Sequence, residues 1–260
     1  MSRGRPEKKR TSVLSCYFWP LLGLIGLFFW WWLAVRLLRA SVPMAAYFAP
    51  EEAWHSAVRL LSRGILVRHA LDSLRRVLVG LSLALAFGLP LGLLVGGIRA
   101  FDRATGLVFQ LLRMVSPLSW MPLAVMFLGI GDAPVYFLLA LAGVWPIILN
   151  TAAGVAAIDP KWLNLAKSLS ANRREVYRYI ILPGILDHLL TGLRLAIGVI
   201  WIVLVPAEML GVQAGLGYFI LDARDRMEYG DLVVAILVIG LLGATLDGAA
   251  RRLRLKWLPG

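Results

Sequence analysis

Between positions 113 and 122 the chain reads RMVSPLSWMP, which sets an arginine, two serines and an indole inside an otherwise apolar run. Taken as one helix, Arg113 and Ser116 share a side by their three-residue spacing, and Trp120 follows four residues later. A guanidinium beside the Ser116 and Ser119 hydroxyls, with carbonyls freed by Pro117 and Pro122, has the chemistry to hold an anion in a low-dielectric path. The plainer alternative is that Arg113 snorkels to the headgroups and Trp120 fills space. Glu208, in VPAEMLG, stands toward the other end of a later apolar run that begins near Arg194. At about 1.5 Å per residue the two are too far apart on one helix to pair. Glu208 is therefore expected as a gate or helix-packing carboxylate, and Arg194 as a contact to the polar loop before it. Asp247 and Arg251, four residues apart, read as a surface ion pair. Arg113, Ser116, Ser119, Trp120 and Glu208 are the candidates for a path or gate.

Catalytic constellations are missing from the sequence. His55, His69 and His188 are scattered, and no HExxH, GxSxG or GxxxxGK[ST] pattern occurs. The carboxylates and histidine of EEAWHSAVR (51–59) read instead as a helix start, with Glu51 and Glu52 just after Pro50. Cys16, the only cysteine, precludes an internal disulfide and a Cys-rich metal site, and it precedes the first apolar run rather than closing it. No catalytic role, no metal and no cofactor are expected in this chain, and ATP cannot be bound here through a phosphate loop.

These residues must be positioned by elements suited to lipid. The 260 residues are 60% hydrophobic and 16% charged, and several apolar stretches can cross a hydrocarbon core of about 30 Å. The formal charge of +12 then reads as basic flanks of membrane spans rather than as a nucleic-acid surface. Spans are expected at about 17–38, 74–98, 107–130, 133–157, 186–211 and 231–250, giving an all-α integral membrane fold of about six transmembrane helices. The charged start of the second, DSLRRVLVG, is expected to lie partly outside the hydrocarbon. Basic residues divide the chain into a cytoplasmic N-terminus (1–16, with Arg3, Arg5, Lys8, Lys9 and Arg10), a transmembrane body (17–250) with a cytoplasmic loop at 158–185, and a cytoplasmic C-terminus (251–260). Gly88, Gly92 and Gly96 recur every four residues, so one face of the second span admits a neighbouring backbone. Pro90, Pro117, Pro122 and Pro146 are expected to bend their helices.

The loop DPKWLNLAKSLSANRREVYRYIILP (159–183) carries its own folding signals. Asp159 is an N-cap with Pro160 in the first helical position. Trp162, Leu165, Ala166 and Leu169 follow at helical spacing and give an apolar face to a segment expected in water. Asn172 with Glu175 forms a capping box for a second helix, basic through Arg173, Arg174 and Arg178 and expected to end before the turn at Pro183.

The spacing of this loop resembles the motif of permease subunits of bacterial ABC importers: Glu-Ala-Ala, three residues, Gly, nine residues, Ile, one residue, Leu-Pro. Here Asn164 stands at the Glu position, Leu165 and Ala166 at the two Ala positions, Ser170 at the Gly, Ile180 at the Ile and Leu182-Pro183 at the Leu-Pro. Ser170 in place of Gly leaves the geometry of the turn open. HALDSLRRVLVGLSLALAFGLPLGLLVG, PLSWMPLAVMFLGIG, VWPIILNTAAGV, LTGLRLAIGVIW and AEMLG are similar to the nitrate, sulfonate, taurine and bicarbonate branch of the family. The resemblance implies a type I importer fold in the bacterial inner membrane and a cytoplasmic coupling helix. The implied partners are two ATPase subunits holding ATP and Mg, a second permease chain, and a periplasmic or lipid-anchored binding protein. It further implies that Asp159, Trp162, Leu165, Ala166, Leu169, Ser170, Arg173 and Arg174 meet the ATPase, and that a small anion is moved. A self-sufficient transporter or channel would need coupling groups of its own, and buried carboxylates are scarce; a membrane enzyme lacks its catalytic constellation.

Overall fold

A computed structural model of the chain describes residues 13–257, so the basic residues of the expected N-terminal segment 1–16, all within 1–12, lie outside the described residues. Among the described residues the secondary structure is helical throughout: α1 (Val13–Leu38), α2 (Pro50–Ser62), α3 (Ile65–Gly97), α4 (Arg99–Met114), α5 (Met121–Leu128), α6 (Asp132–Ala156), α7 (Pro160–Ser168), α8 (Arg173–Val176), α9 (Leu182–Gly211), α10 (Leu216–Asp225) and α11 (Tyr229–Trp257). Among the described residues five helices are long and apolar enough to cross a membrane, or six if α4 and the bent segment after it form one span.

The centre is a three-helix core of α3, α6 and α9, and the glycine repeat is its organising feature. On α3 the face Gly80, Ala84, Gly88, Gly92 and Gly96 lies against Leu139, Gly143, Ile147, Thr151 and Val155 of α6, each set advancing by four residues. Matching i±4 rows of two parallel helices thus interlock, with glycines on α3 receiving larger residues from α6 except where Ala84 meets Gly143. A Cβ added at Gly92 would stand 2.6 Å from Thr151 Cβ and 2.9 Å from the Ile148 carbonyl oxygen, so the approach depends on glycine there. Gly192 of α9 lies in the same way against Asn150 and the Pro146 carbonyl of α6. Val77, Leu138, Leu139, Ile200 and Leu204 fill the space between the three helices. α2, α10 and α11 enclose a second cluster around Leu60, Leu216, Phe219 and Val234.

Helix lengths follow the chain's local signals. α3 has 33 residues, roughly 50 Å at the ordinary rise, so it overruns a bilayer core of about 30 Å and carries its arginine-rich first turns beyond it. α2 begins with Pro50 in its first turn and Glu51 and Glu52 beside it, and Gly64, with φ +68°, makes the corner into α3.

Two expectations need correction. The span expected at 107–130 is not one helix. α4 ends at Met114, Val115 and Ser116 are extended, a 3-10 turn covers Pro117–Trp120, and α5 sets off at 88° to α4. Pro117 forces the residue before it out of the helical region, and Pro122 sits in the first turn of α5, so the chain breaks where the prolines allow a new start. Conversely, the turn expected at Pro183 does not form. α8 runs through a π segment (Tyr177–Ile181) directly into α9, with Leu182 N–H bonded to the Tyr177 carbonyl. The wider turn makes room for the Pro183 ring, which would otherwise crowd the carbonyl four residues earlier. The connection between the spans expected at 186–211 and 231–250 contains α10. α11 continues without interruption past Ala250.

Candidate functional site

The segment 159–181 holds two short helices, each closed by a side-chain cap at its start. The Asp159 carboxylate accepts from Lys161 N–H at 2.9 Å, closing the start of α7. At the other end Ser170 takes the left-handed conformation (φ 54°) usually given to glycine. Its N–H reaches the Lys167 carbonyl (3.0 Å) while Ala171 N–H reaches Ala166 (2.9 Å), a complete Schellman closure. Serine at the glycine position therefore keeps the glycine-type turn. Asn172 and Glu175 exchange side-chain-to-backbone bonds of 2.9 and 2.8 Å, the capping box expected from their spacing.

Trp162, Leu165 and Leu169 form an exposed apolar ridge along α7, at 60, 49 and 72% exposure. Ala166, placed on the same face by sequence, is 5% exposed and turned inward. The spacing 162, 165, 169 selects the outer side, and Ala166 lies one residue round the helix from Leu165. A groove of about 470 Å³ lined by Ile158, Asp159, Trp162, Tyr179 and Ile180 opens beside the ridge. Arg173 and Arg174 are exposed on the adjoining helix and form no ion pair with the described residues. Such a surface can bury apolar side chains in a partner and meet acidic groups at its edge.

The second group of sequence candidates lies at the break after α4. Because the helix stops there, Arg113 and Ser116 do not share a helix side: Arg113 belongs to the last turn of α4, Ser116 precedes the 3-10 turn, and Ser119 lies within it. Trp120 packs partly against the central core, which places it with the space-filling alternative. Arg113 faces a groove of about 220 Å³ between α4 and α6.

Glu208 is fully buried in a polar cluster that joins four helices. Its carboxylate accepts from Arg76 Nη1 (2.7 Å), the Ser73 hydroxyl (2.8 and 2.9 Å to its two oxygens) and Gly217 N–H (2.8 Å). Arg76 also donates to Asp132 (2.8 Å) and to the Ala214 carbonyl (2.7 Å), and Asp132 is further paired with Arg75. Leu216 N–H donates to Ser73 Oγ (2.8 Å) and Gly215 N–H to His69 Nδ1 (3.1 Å), so the loop 212–215 is folded back onto α3. Gly215, with φ +105°, admits no side chain: a Cβ would collide with Arg76 and Glu208. With every partner satisfied, Glu208 makes the contacts of a packing carboxylate rather than of an open gate.

Ser73, Arg76 and Asp132 escaped the sequence reading. A signal for the first two existed, because His69, Ser73 and Arg76 continue toward the start of α3 the same face that carries Gly80 to Gly96. A further correction concerns Arg194. It pairs with Asp247 of α11 (2.7 and 3.2 Å), not with the loop, and Asp247 accepts from Arg251 (3.1 Å) as its spacing suggested.

Residues 88–257 match the family described as binding-protein-dependent transport system inner membrane component. The bicarbonate transport system permease protein CmpB of Synechocystis sp. is 32% identical over 262 residues, covering 98% of this chain and 92% of the relative. The nitrate import permease protein NrtB of Leptolyngbya laminosa is 36% identical over 175 residues, 67% of this chain and 63% of the relative. Among solved structures, the MetNI methionine ABC transporter in an inward-facing conformation has a chain of the same fold, with a TM-score of 0.64 at 17% identity over 76% of this chain and 98% of that one. A chain of an amino acid ABC transporter gives 0.59 at 15% identity over 77% and 97%.

Proposed function

The chain belongs to the family of binding-protein-dependent transport system inner membrane components, and from that premise we propose that it is the permease subunit of an ATP-driven importer of a small anion. Bicarbonate and nitrate, the cargoes named for its relatives, stand ahead of sulfonates and taurine. ATP and Mg are held by separate ATPase subunits, a second permease copy completes the path, and a periplasmic or lipid-anchored binding protein delivers the anion. The assembly sits in the bacterial inner membrane with both termini, α7 and α8 on the cytoplasmic side, where the basic residues of 161–178 favour them.

The observation that supports this reading most is the ridge of Trp162, Leu165 and Leu169 on a lever capped at each step. Such a ridge seats in a groove of the ATPase, and Arg173 and Arg174 fix its orientation. The rigid passage from α8 through the π segment into α9 carries any displacement of the ridge into the core. ATP-driven closure of the ATPase pair then shifts the permease pair between inward- and outward-open states, through contacts that differ in the two. Arg113, Ser116 and Ser119 line the path at the break after α4. The cluster around Glu208 holds α9 and α10 to α3 while the helices move.

Burying one large apolar side chain is worth about 1.5–3 kcal/mol. Leu165→Asp, and Trp162→Ala combined with Leu169→Ala, are therefore expected to abolish co-purification with the ATPase subunit and ATP-driven uptake, while the permease still folds and inserts. Normal assembly and uptake in these variants would overturn the proposal.

A further inference from the structure

α4 differs from its neighbours because its polar residues run its whole length. Arg99, Asp102, Arg103, Gly106, Gln110 and Arg113 fall at i, i+3, i+4, i+7, i+11 and i+14, one side of a helix. Leu107, Val108, Leu111 and Met114, on another side, are exposed as lipid-facing residues are. The polar side contributes Asp102, Gly106, Gln110 and Arg113 to the groove against α6, closed on its far wall by Trp145 and Leu149.

Depth follows from helix geometry. Arg113 lies 14 residues, roughly 21 Å, along α4 from Arg99, so it cannot reach the headgroups beyond that end. One turn before it, Phe109 packs edge-on against Trp145 with ring centroids 5.6 Å apart. Trp145 is roughly 20 Å from the Asp132 end of α6 and 17 Å from its Ala156 end, near the middle of the span. Arg113 is therefore a guanidinium near mid-membrane. Arg76 and Arg194 are each neutralised by carboxylates, whereas Arg113 has no hydrogen-bond or ion partner among the described residues, and neither has the Gln110 amide. Asp102 is on the same groove but 11 residues away, roughly 17 Å along the helix, too far to pair.

An uncompensated arginine at that depth is expensive unless it faces water or an anion. The groove volume of about 220 Å³ holds a small oxyanion with a few waters of about 30 Å³ each. We infer that Arg113 and Gln110, facing Trp145, form a mid-membrane station for a single small oxyanion, with Arg113 supplying the charge and Gln110 a directional N–H donor. The station rests on the proposed anion-permease reading and adds to it selection for charge within the membrane, independent of the binding protein. Because Arg113 is the one guanidinium lining the groove among the described residues, the station favours monovalent over divalent anions.

Cys16 is the only cysteine, so Cys16→Ser provides a cysteine-free background for Gln110→Cys. In the intact permease–ATPase complex in proteoliposomes, modification at position 110 is followed with a sulfonate-bearing and a trimethylammonium-bearing methanethiosulfonate reagent. The sulfonate reagent is expected to react about tenfold faster, given one positive charge close by in a low-dielectric groove. Nitrate and bicarbonate are expected to slow it, sulfate to slow it less. Adding Arg113→Gln removes the preference, and Arg113→Lys restores most of it, which separates charge from folding. A cationic reagent reacting as fast, a preference that survives Arg113→Gln, or an unreactive position 110 overturns the station. Anion uptake by the wild-type complex without the preference refutes the station alone; the preference without ATP-driven uptake refutes the importer reading and leaves the station standing.

Discussion

Removing the Glu208 carboxylate tests whether the buried cluster holds the α9–α10 corner in place. Two arginines, Arg75 and Arg76, are balanced there by Asp132 and Glu208. In Glu208→Ala, Arg76 keeps Asp132 and the Ala214 carbonyl, but one positive charge is left uncompensated, and Ser73 and Gly217 N–H lose their acceptor. Breaking a buried pair from one side costs about 3–5 kcal/mol, and the surviving Asp132 contact puts the expectation near about 3 kcal/mol. Glu208→Gln leaves the same positive charge uncompensated and turns one N–H toward a donor, but it keeps the shape and one acceptor oxygen for Arg76, so a smaller loss of about 2 kcal/mol is expected. Arg76→Leu combined with Glu208→Leu removes both charges and leaves Arg75 with Asp132, and is expected to be less destabilising than Glu208→Ala alone. Denaturant unfolding in a bilayer mimetic measures the order Ala, then Gln, then the double variant in decreasing severity. Hydrogen exchange of amides 215–217, which are bonded to His69, Ser73 and Glu208, reads the same event locally. Retained protection of those amides in Glu208→Ala, or a double variant whose loss equals the sum of the single ones, would refute the reasoning.

Gly92→Leu places a branched side chain where a Cβ alone meets Thr151 and the Ile148 carbonyl, so a loss of about 3 kcal/mol or failure to fold is expected on unfolding assay. Gly97→Ala, with nothing within 4 Å of its Cβ at the last residue of α3, is expected to cost nothing or to raise stability by up to about 1 kcal/mol, and it serves as the control. Ser170→Gly relieves a left-handed serine, and slower amide exchange across 166–171 is expected, worth up to about 1 kcal/mol.

Local features were legible because their physics is local. The caps at Asp159 and at Asn172 with Glu175, the start of α2 at Pro50 and the packing face of Gly88, Gly92 and Gly96 each depend on residues within one or two turns. The family resemblance of the 159–183 loop belongs here too, since it rests on spacing along the chain.

Proline was legible as a disturbance but not in its outcome. Pro117 breaks its span and turns the chain by 88°, while Pro183 is absorbed by a π segment and Pro90 and Pro146 remain inside continuous helices. Which of these happens depends on what packs around the freed carbonyl, and that is set by neighbouring helices. Pairing across long sequence distances was equally hidden: Glu208 finds Arg76 at a separation of 132 residues, and Arg194 finds Asp247 at 53. Sequence alone therefore determined the apolar spans as a class, the caps at Asp159 and Asn172, the small-residue face and the apolar residues of α7, but not where the third span breaks, that α10 exists or that α8 continues into α9. The tertiary structure decided which charges are neutralised and which arginine is left facing a groove, because burial and pairing of a charge are properties of the helices brought against it.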